Sequence, residues 1–366
     1  MSVTSLKRSG LKTGQKYNDA MAGNFKFAWL DTSSWTLMTR TAAAGAISAS
    51  SNPGRLMVFN NKGEGMVAQG GPGSTATVTD FGNTVGSQNN IGYSDNRGSF
   101  NGWFLGSGNY ITSNAGFKQN VGDGWTYITG YNNTTFSGGP GSGGFTSGGV
   151  PVWMIPVTTG SSPTATQGFL STTTMPNTSW TLNTVGTINP SSSGSLARVA
   201  LANDVVVYVH YSSNTTFNGS TLVIKYASVT PSTGAVSTTW NTGTLDFAAT
   251  GMMLNLQTVG NVFVLTTTSG DRYSSTNGAT WTRRATGTSG TTGNAMQITS
   301  GETGYMIGFG YNNTNAYGAQ YSTDGITFTS MNTFSGTSYG NWGGIGVGKG
   351  IRFAQTDGGT VWFKQP

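Results

Sequence analysis

The sequence predicts an all-β protein, and three observations carry this prediction. Charged residues make up 8% of the 366 residues and aromatic residues 11%, while glycine contributes 57 residues. Short apolar runs alternate with clusters of Gly, Asn, Ser and Thr, which is typical of strands separated by turns. A hairpin motif recurs along the chain at the spacing of a small β-sheet.

The apolar runs have the length of strands rather than of helices. Six clear examples are Arg55–Phe59, Val150–Ile155, Asp204–Val209, Leu222–Tyr226, Asn261–Leu265 and Gly304–Phe309. The Ala, Glu, Lys, Leu and Arg richness of a long helical protein is missing. A run such as Val205–Val209 is far shorter than the ~20 residues of a membrane-spanning helix, so we expect no membrane insertion.

The residue types that are scarce exclude several kinds of chemistry. The chain has no cysteine, which excludes a disulfide framework, a thiolate metal site and a cysteine nucleophile. His210 is the single histidine and ends an apolar strand, where a structural role is expected. Metal sites with nitrogen or sulfur ligands are therefore excluded, and we expect no cofactor.

Three C-terminal segments repeat one hairpin motif: Arg272–Thr282, Gln320–Thr329 and Arg352–Phe363. Each has a strand with an aromatic residue, then Asn-Gly or Asp-Gly, then a Thr and a large residue that opens the next strand. Asn-Gly and Asp-Gly supply the positive φ angles of a tight turn. We therefore predict hairpins in which the second aromatic residue anchors the returning strand in a core.

Weaker copies extend the repeat over the chain. The anchor positions are Trp35, Val78, Phe117, Trp180, Trp240, Trp281, Phe328 and Trp362, at intervals of 34 to 63 residues. A β repeat of about 40–50 residues is the size of a four-stranded propeller blade. We therefore predict a β-propeller of six to eight blades, with seven favoured, over residues 25–366. Propellers bring their termini together, so Trp35 and Trp362 should lie in the same or adjacent blades.

A second recurring element follows apolar strands at Gly130–Thr134, His210–Thr215 and Gly310–Thr314. We interpret it as a loop placed alike in several blades. Tyr and Asn on rigid loops can stack on sugar rings and donate neutral hydrogen bonds. The candidate glycan contacts are Tyr131, Asn132, Asn133, Tyr311, Asn312 and Asn313. The alternative, which we favour for these residue types, is that Tyr packs between blades and Asn caps turns.

Residues 1–24 form a basic arm ahead of the repeats. The arm contains four of the 18 basic residues, namely Lys7, Arg8, Lys12 and Lys16. Without them, the net charge of +6 falls to +2, which is too weak for a nucleic-acid-binding face. The arm has few large apolar residues with which to offset the ~1–2 kcal/mol per residue that backbone ordering costs. We therefore expect it to dock into an acidic or carbonyl-rich groove of another protein.

The hairpin segments resemble the Asp-box (BNR-like) repeats of β-propellers, as found in sialidases and in propeller domains of phage and secreted proteins. The usual pattern is Ser-x-Asp-x-Gly-x-Thr-Trp. Ser322–Phe328 and Ser274–Trp281 approach it with one residue fewer between the acid or amide and the Thr, and Asp357–Thr360 lacks the leading Ser. The resemblance covers about a third of each blade and implies that Asn277, Asp324 and Asp357 are structural turn residues.

The same resemblance prompts a test for sialidase chemistry. Sialidases use three arginines, a Tyr–Glu pair, an Asp acid/base and an Arg-Ile-Pro strand. In this chain, Arg55 is followed by Leu-Met, and Glu64 and Glu302 are the only glutamates. A generic glycosidase needs two facing carboxylates, and several of the twelve acidic residues occupy turns. The sequence therefore indicates a protein that is not an enzyme, with a glycan-acting hydrolase as the alternative.

The composition and layout of the chain resemble those of bacteriophage virion proteins, in which a basic arm precedes a cysteine-free body rich in Thr, Gly and Asn. The segment 9–20 lacks the apolar core of a signal peptide, so we expect synthesis in the host cytoplasm. The expected function is a virion structural protein, displayed on head or tail through its arm. Its expected partners are other virion proteins and, as a further candidate, a host-surface glycan. A β-sandwich or a trimeric fibre is the less favoured architecture.

Overall fold

A computed structural model of the chain describes 29 strands, and no helix occurs among the residues it describes. The described residues are 36–39, 48–52, 55–59, 65–69, 77–82, 97–100, 103–108, 114–118, 126–132, 141–159, 165–177, 179–188, 197–211, 222–249, 253–267, 270–285, 295–300, 306–311, 316–322, 324–330, 342–348, 351–356 and 360–364. The basic arm with Lys7, Arg8, Lys12 and Lys16 lies outside them. Within these ranges we find no helix that could cross a membrane.

The strands assemble into seven sheets, named I to VII. Sheet I contains β2 (Ser48–Asn52), β3 (Arg55–Phe59), β4 (Gly65–Gln69) and β5 (Thr77–Gly82). Sheet II contains β6 (Arg97–Phe100), β7 (Trp103–Gly108), β8 (Asn114–Lys118) and β9 (Thr126–Asn132). Sheet III contains β10 (Ser142–Phe145), β11 (Pro151–Thr159), β12 (Ala165–Thr172) and β13 (Thr181–Ile188). Sheet IV contains β14 (Arg198–Ala202), β15 (Val205–Tyr211), β16 (Leu222–Ser228) and β17 (Asn241–Thr242).

The remaining three sheets follow the same plan with two variations. Sheet V contains β19 (Met253–Val259), β20 (Val262–Thr267), β21 (Arg272–Ser275) and β22 (Thr280–Ala285), and β18 (Thr244–Leu245) joins its outer edge in parallel. Sheet VI contains β23 (Ala295–Ser300), β24 (Met306–Tyr311), β25 (Ala316–Ser322) and β26 (Thr329–Ser330). Sheet VII contains β27 (Trp342–Gly348), β28 (Ile351–Thr356), β29 (Thr360–Lys364) and β1 (Thr36–Thr39).

Sheet VII joins the two ends of the described chain. Strand β1 pairs antiparallel with β29, which sets Leu37 opposite Trp362. Trp35 lies outside the described residues and directly precedes β1 in the sequence. The outermost strand of this sheet therefore comes from the N-terminal part of the chain, and its three other strands come from the C-terminal part.

Successive sheets lie side by side. The first strand of each sheet lies next to the first strand of the following one, from β2 through β6, β10, β14, β19 and β23 to β27, and β27 lies next to β2. Within each sheet the four principal strands pair antiparallel with their neighbours, in chain order except that β1 takes the fourth position of sheet VII. Second and fourth strands therefore run in the same direction and end at the same face of the protein.

The apolar cores lie between consecutive sheets. Alternate residues of β15 point to opposite sides, so Val206 packs with sheet III while Val207 and Val209 pack with sheet V. A strand that is buried on both sides needs apolar residues at every position. This requirement explains the unbroken apolar run that the sequence shows from Val205 to Val209.

Aromatic residues at the start of the fourth strands pack against the preceding sheet. They are Trp180 in the core between sheets II and III, Trp240 between III and IV, Trp281 between IV and V, and Phe328 between V and VI. The Nε1–H groups of Trp180 and Trp281 donate to the carbonyl oxygen three residues earlier, at 2.6 and 2.9 Å. The apolar packing fixes these hairpins to the preceding sheet, whereas the two Nε1–H hydrogen bonds are made within the turn of each hairpin.

Two anchors of the predicted repeat belong to a different strand. Phe117 lies in β8 and Trp362 in β29, which are third strands, so the hairpin around Asp357 joins a second strand to a third. The sequence position that matches the other anchors in sheet II is Trp125, which directly precedes β9. For Trp362, the misplacement arose because the N-terminal β1 supplies the fourth strand of sheet VII.

Glycines in the turns before the fourth strands allow close packing. Gly234, Gly278 and Gly325 have φ angles of 72°, 74° and 72°. A Cβ added to Gly278 would lie 2.9 Å from Tyr226 Cβ and from Val207 Cγ2 of sheet IV. Glycine is required because the positive φ and this close approach both disfavour a side chain.

Candidate functional site

The turns between third and fourth strands define one face of the protein, which we call the turn face. Asn277 Oδ1 accepts hydrogen bonds from the backbone N–H groups of Ala279 and Thr280, at 2.9 and 3.2 Å. Asp324 Oδ1 accepts the corresponding bonds from Ile326 and Thr327, at 2.8 and 2.7 Å. Both residues therefore cap turn backbone, and Asp357 lies outside the described residues.

The protonation of Asp324 follows from these contacts. Burial by itself raises the pKa of Asp324, but hydrogen bonds from the backbone of Thr327 and Ile326 and from Ser322 outweigh it, so the net shift is downward. A carboxylate held in its charged form in this way is a poor proton donor. The residue can shape the turn but is unsuited to general acid catalysis.

Further hydrogen bonds on the turn face link three sheets. The two-residue turn Asn203–Asp204 has φ angles of 51° and 56° and joins β14 to β15. Asp204 accepts hydrogen bonds from Ser147 N–H and Oγ–H of sheet III, at 2.7 and 2.6 Å. Asn203 Nδ2 donates to the carbonyl oxygens of Asn261 and Thr276 in sheet V, both at 2.8 Å. The polar groups of this turn thus hold neighbouring sheets together.

The ends of the second and fourth strands define the opposite face, which we call the loop face. Tyr131 and Asn132 end β9, the fourth strand of sheet II, and Tyr311 ends β24, the second strand of sheet VI. Both segments therefore emerge at the loop face, while Asn133, Asn312 and Asn313 lie outside the described residues. The expectation of equivalent positions is wrong for Gly130–Thr134, which lies at the end of a fourth strand. The other two copies are placed alike, because Tyr211 of β15 and Tyr311 of β24 both end second strands.

The third copy of the element shows how its residues are used in sheet IV. Tyr211 is buried between sheets IV and V, and its hydroxyl oxygen accepts a hydrogen bond from Met253 N–H. His210 is also buried, and its Nδ1 lies 3.1 Å from the carbonyl oxygen of Tyr211. Since a carbonyl oxygen can only accept, Nδ1 carries the proton in the neutral ring. In this copy of the element, His210 and Tyr211 therefore pack inside the protein.

Charged side chains are buried near the loop face of sheets IV and V. Arg198 and Arg272 start β14 and β21, and Asp271 precedes Arg272; all three are buried. The Arg272 guanidinium lies 5.2 Å from the ring centroid of Phe328. Burial lowers the pKa of Arg272 to about 10, and the nearby Asp271 opposes that shift. These residues were not among the sites predicted from the sequence. The one feature that could have indicated them is a charged residue next to an apolar strand.

The described acidic residues do not assemble into a cation site. Among the described ranges, no three His, Asp or Glu side chains lie close enough together to hold a metal ion. Asp246, on the outer edge of sheet V, accepts hydrogen bonds from Arg283 N–H at 2.9 and 3.1 Å. This carboxylate, like those of Asp204 and Asp324, is bound to backbone N–H.

Comparisons with known proteins concern the fold. No protein-family model matches the sequence, and no curated protein sequence matches it significantly. YCF48 from Cyanidioschyzon merolae superposes with a TM-score of 0.53 at 11% identity, covering 91% of this chain and 98% of YCF48. The WD40 β-propeller domain of Doa1 gives a TM-score of 0.49 at 10% identity, with coverage of 91% and 98%.

A third similar structure is PorZ, a surface component of the type-IX secretion system of Porphyromonas gingivalis. Its TM-score is 0.47 at 11% identity, over 89% of this chain, which spans 37% of the length of PorZ. Side-by-side sheets of four antiparallel strands are the arrangement of β-propeller blades and define an all-β protein. The superposition on YCF48 agrees with this fold.

Proposed function

We propose that this protein is a non-catalytic component of a bacteriophage virion. In this proposal the arm 1–24 attaches it to other virion proteins, and the loop face of the propeller contacts host-surface glycans. The observation that carries the proposal is topological. Tyr131–Asn132 and Tyr311 belong to distant parts of the chain, yet both emerge at the loop face.

The way in which three described carboxylates are used supports a binding role over hydrolysis. A glycosidase needs two carboxylates that face a common substrate, one of them able to donate a proton. Asp204, Asp246 and Asp324 instead accept hydrogen bonds from backbone N–H groups. Their lone pairs are engaged in holding turns and neighbouring strands.

The virion assignment rests on the arm and the composition. Four cations precede the first acidic residue, Asp19, while charged residues are scarce over the whole chain. A basic segment of this kind suits an acidic groove on a partner protein. A body whose polar surface uses hydroxyl and amide groups suits neutral hydrogen bonding to sugars.

We further propose that the seven sheets form one closed ring of seven blades, with β1 as the closing strand. The β1–β29 pairing and the adjacency of β27 and β2 support this arrangement. A closed ring fixes the relative positions of the loops on each face. The loop face would then present its tyrosines from a rigid support.

Deleting residues 2–22 tests the attachment role of the arm. We expect the truncated protein to fold, because the deletion ends before β1, and to be absent from particles. Its content in purified particles is measured by quantitative immunoblotting against the full-length protein, with circular dichroism as the control for folding. Normal copy number in the particles would refute the arm as the anchor.

Replacing Tyr131 and Tyr311 with alanine tests the loop face. Aromatic contacts contribute about 0.5–1.5 kcal/mol each, so the double variant should bind about tenfold more weakly. The measurement is binding of labelled protein to host cells and to polysaccharide extracted from them. Phe145→Ala is the matched control, because Phe145 is an exposed aromatic residue at the turn face.

Two results would contradict the glycan role. Unchanged binding by the Tyr131→Ala, Tyr311→Ala double variant would exclude these tyrosines as contacts. Release of reducing sugar from the polysaccharide, abolished by replacing one Asp or Glu, would show a hydrolase instead.

A further inference from the structure

Three neutral polar side chains are buried between sheets III and IV near the loop face. They are Gln167 on β12 and Tyr208 and His210 on β15. Gln167 and Tyr208 have no exposed surface. Nε2 and Oε1 of Gln167 and Oη of Tyr208 are buried, and none of them has a hydrogen-bond partner in the structure.

Ring contacts place these side chains in one region. The Phe169 and Tyr208 rings stack with centroids 6.1 Å apart and an interplanar angle of 24°. Gln167 lies two residues before Phe169, on the same side of β12. His210 lies two residues after Tyr208, and their ring centroids are 5.6 Å apart. Because β12 and β15 run in opposite directions, Gln167 and His210 both lie on the loop-face side of the stacked rings.

Gln167 pairs with Gly186 of β13 next to a β-bulge, where the regular strand pairing is interrupted. A buried polar group without a partner costs ~1–3 kcal/mol, so three such atoms in one region would be a large penalty. Their number and proximity indicate that something hydrogen-bonds to them.

We propose that this region is an internal hydration site, in which ordered water bridges the Gln167 amide and the Tyr208 hydroxyl. Water fits this region because it can both donate and accept hydrogen bonds. The glutamine side chain has an NH₂ donor and a carbonyl acceptor, and the tyrosine hydroxyl can act in either role. The complete burial of both side chains restricts the occupant to a very small molecule. Buried waters of this kind typically make about three hydrogen bonds. The site would link sheet III to sheet IV through polar contacts inside an otherwise apolar core.

A high-resolution crystal structure of the full chain tests the occupant directly. We expect ordered water density within hydrogen-bond distance of Gln167 and of Tyr208 Oη. A direct hydrogen bond between the Gln167 amide and Tyr208 Oη would overturn the proposal. So would a region without density in which both groups remain unpaired.

A double-mutant cycle tests the coupling in solution. We expect Gln167→Leu and Tyr208→Phe each to raise the unfolding equilibrium constant about tenfold. The double variant should raise it about tenfold to twentyfold rather than a hundredfold, because both changes remove the same bridge. Multiplicative effects, or single variants at least as stable as the natural protein, would contradict a shared site.

A matched control distinguishes the loss of the proposed water bridge from the loss of any buried tyrosine hydroxyl. Tyr273 is a buried tyrosine of sheet V whose hydroxyl donates to Ala248 O at 3.3 Å. Sheet IV lies between it and Gln167. Tyr273→Phe combined with Gln167→Leu should therefore give multiplicative effects. Coupling of the same size in this pair would contradict a local bridge.

Discussion

Deleting residues 2–40 should abolish cooperative folding, whereas deleting residues 2–22 should not. The longer deletion removes β1 and leaves β29 as an unpaired outer edge of sheet VII. Pairing over four residues contributes about 4 kcal/mol at ~1 kcal/mol per hydrogen bond, which approaches the total stability of many domains. In the proposed ring, the deletion also removes the connection that closes it.

Urea unfolding followed by tryptophan fluorescence measures this difference. We expect a single cooperative transition for the full chain and for the 2–22 deletion, and a broad or absent transition for the 2–40 deletion. Equal midpoints for the two deletions would show that β1 does not stabilise the sheet. In that case the ring would have to be closed by other contacts.

Stability should fall as the pH drops from about 6.5 to about 4, because His210 is buried in its neutral form. Burial lowers the pKa of His210 from 6.5 to about 4; the Tyr211 carbonyl opposes this shift and Lys225 adds to it. The unfolded chain takes up a proton near pH 6.5, while the folded protein resists protonation until about pH 4. Over this interval the unfolded state gains about 3 kcal/mol relative to the folded state.

The measurement is the free energy of unfolding as a function of pH for the natural protein and for His210→Gln. His210 is the only histidine, so the variant should lose most of the slope between pH 6.5 and 5, where carboxylates titrate little. Above pH 7 the slope should be small for both proteins. An identical pH dependence in the variant would contradict a buried neutral His210.

The sequence determined the local structure of the hairpins. Positive φ angles in Asn-Gly and Asp-Gly turns are local requirements, and Gly278 and Gly325 have them. The caps at Asn277 and Asp324 also involve residues within three positions. Apolar run lengths likewise indicated strands, because both sides of a strand such as β15 are buried between neighbouring sheets. Such features depend on few residues and can be inferred without knowing what surrounds them.

Only the tertiary structure decided which strand of each sheet carries a given repeat residue, and which polar groups are buried. Trp362 occupies a third strand because β1, more than 300 residues away in sequence, pairs with β29. Tyr131 and Tyr311 lie at the ends of a fourth and a second strand, and both strands end at the loop face. Gln167 is buried because sheet IV covers its side of β12. These features arise from pairing and packing between distant segments, and no short-range pattern of residues encodes them.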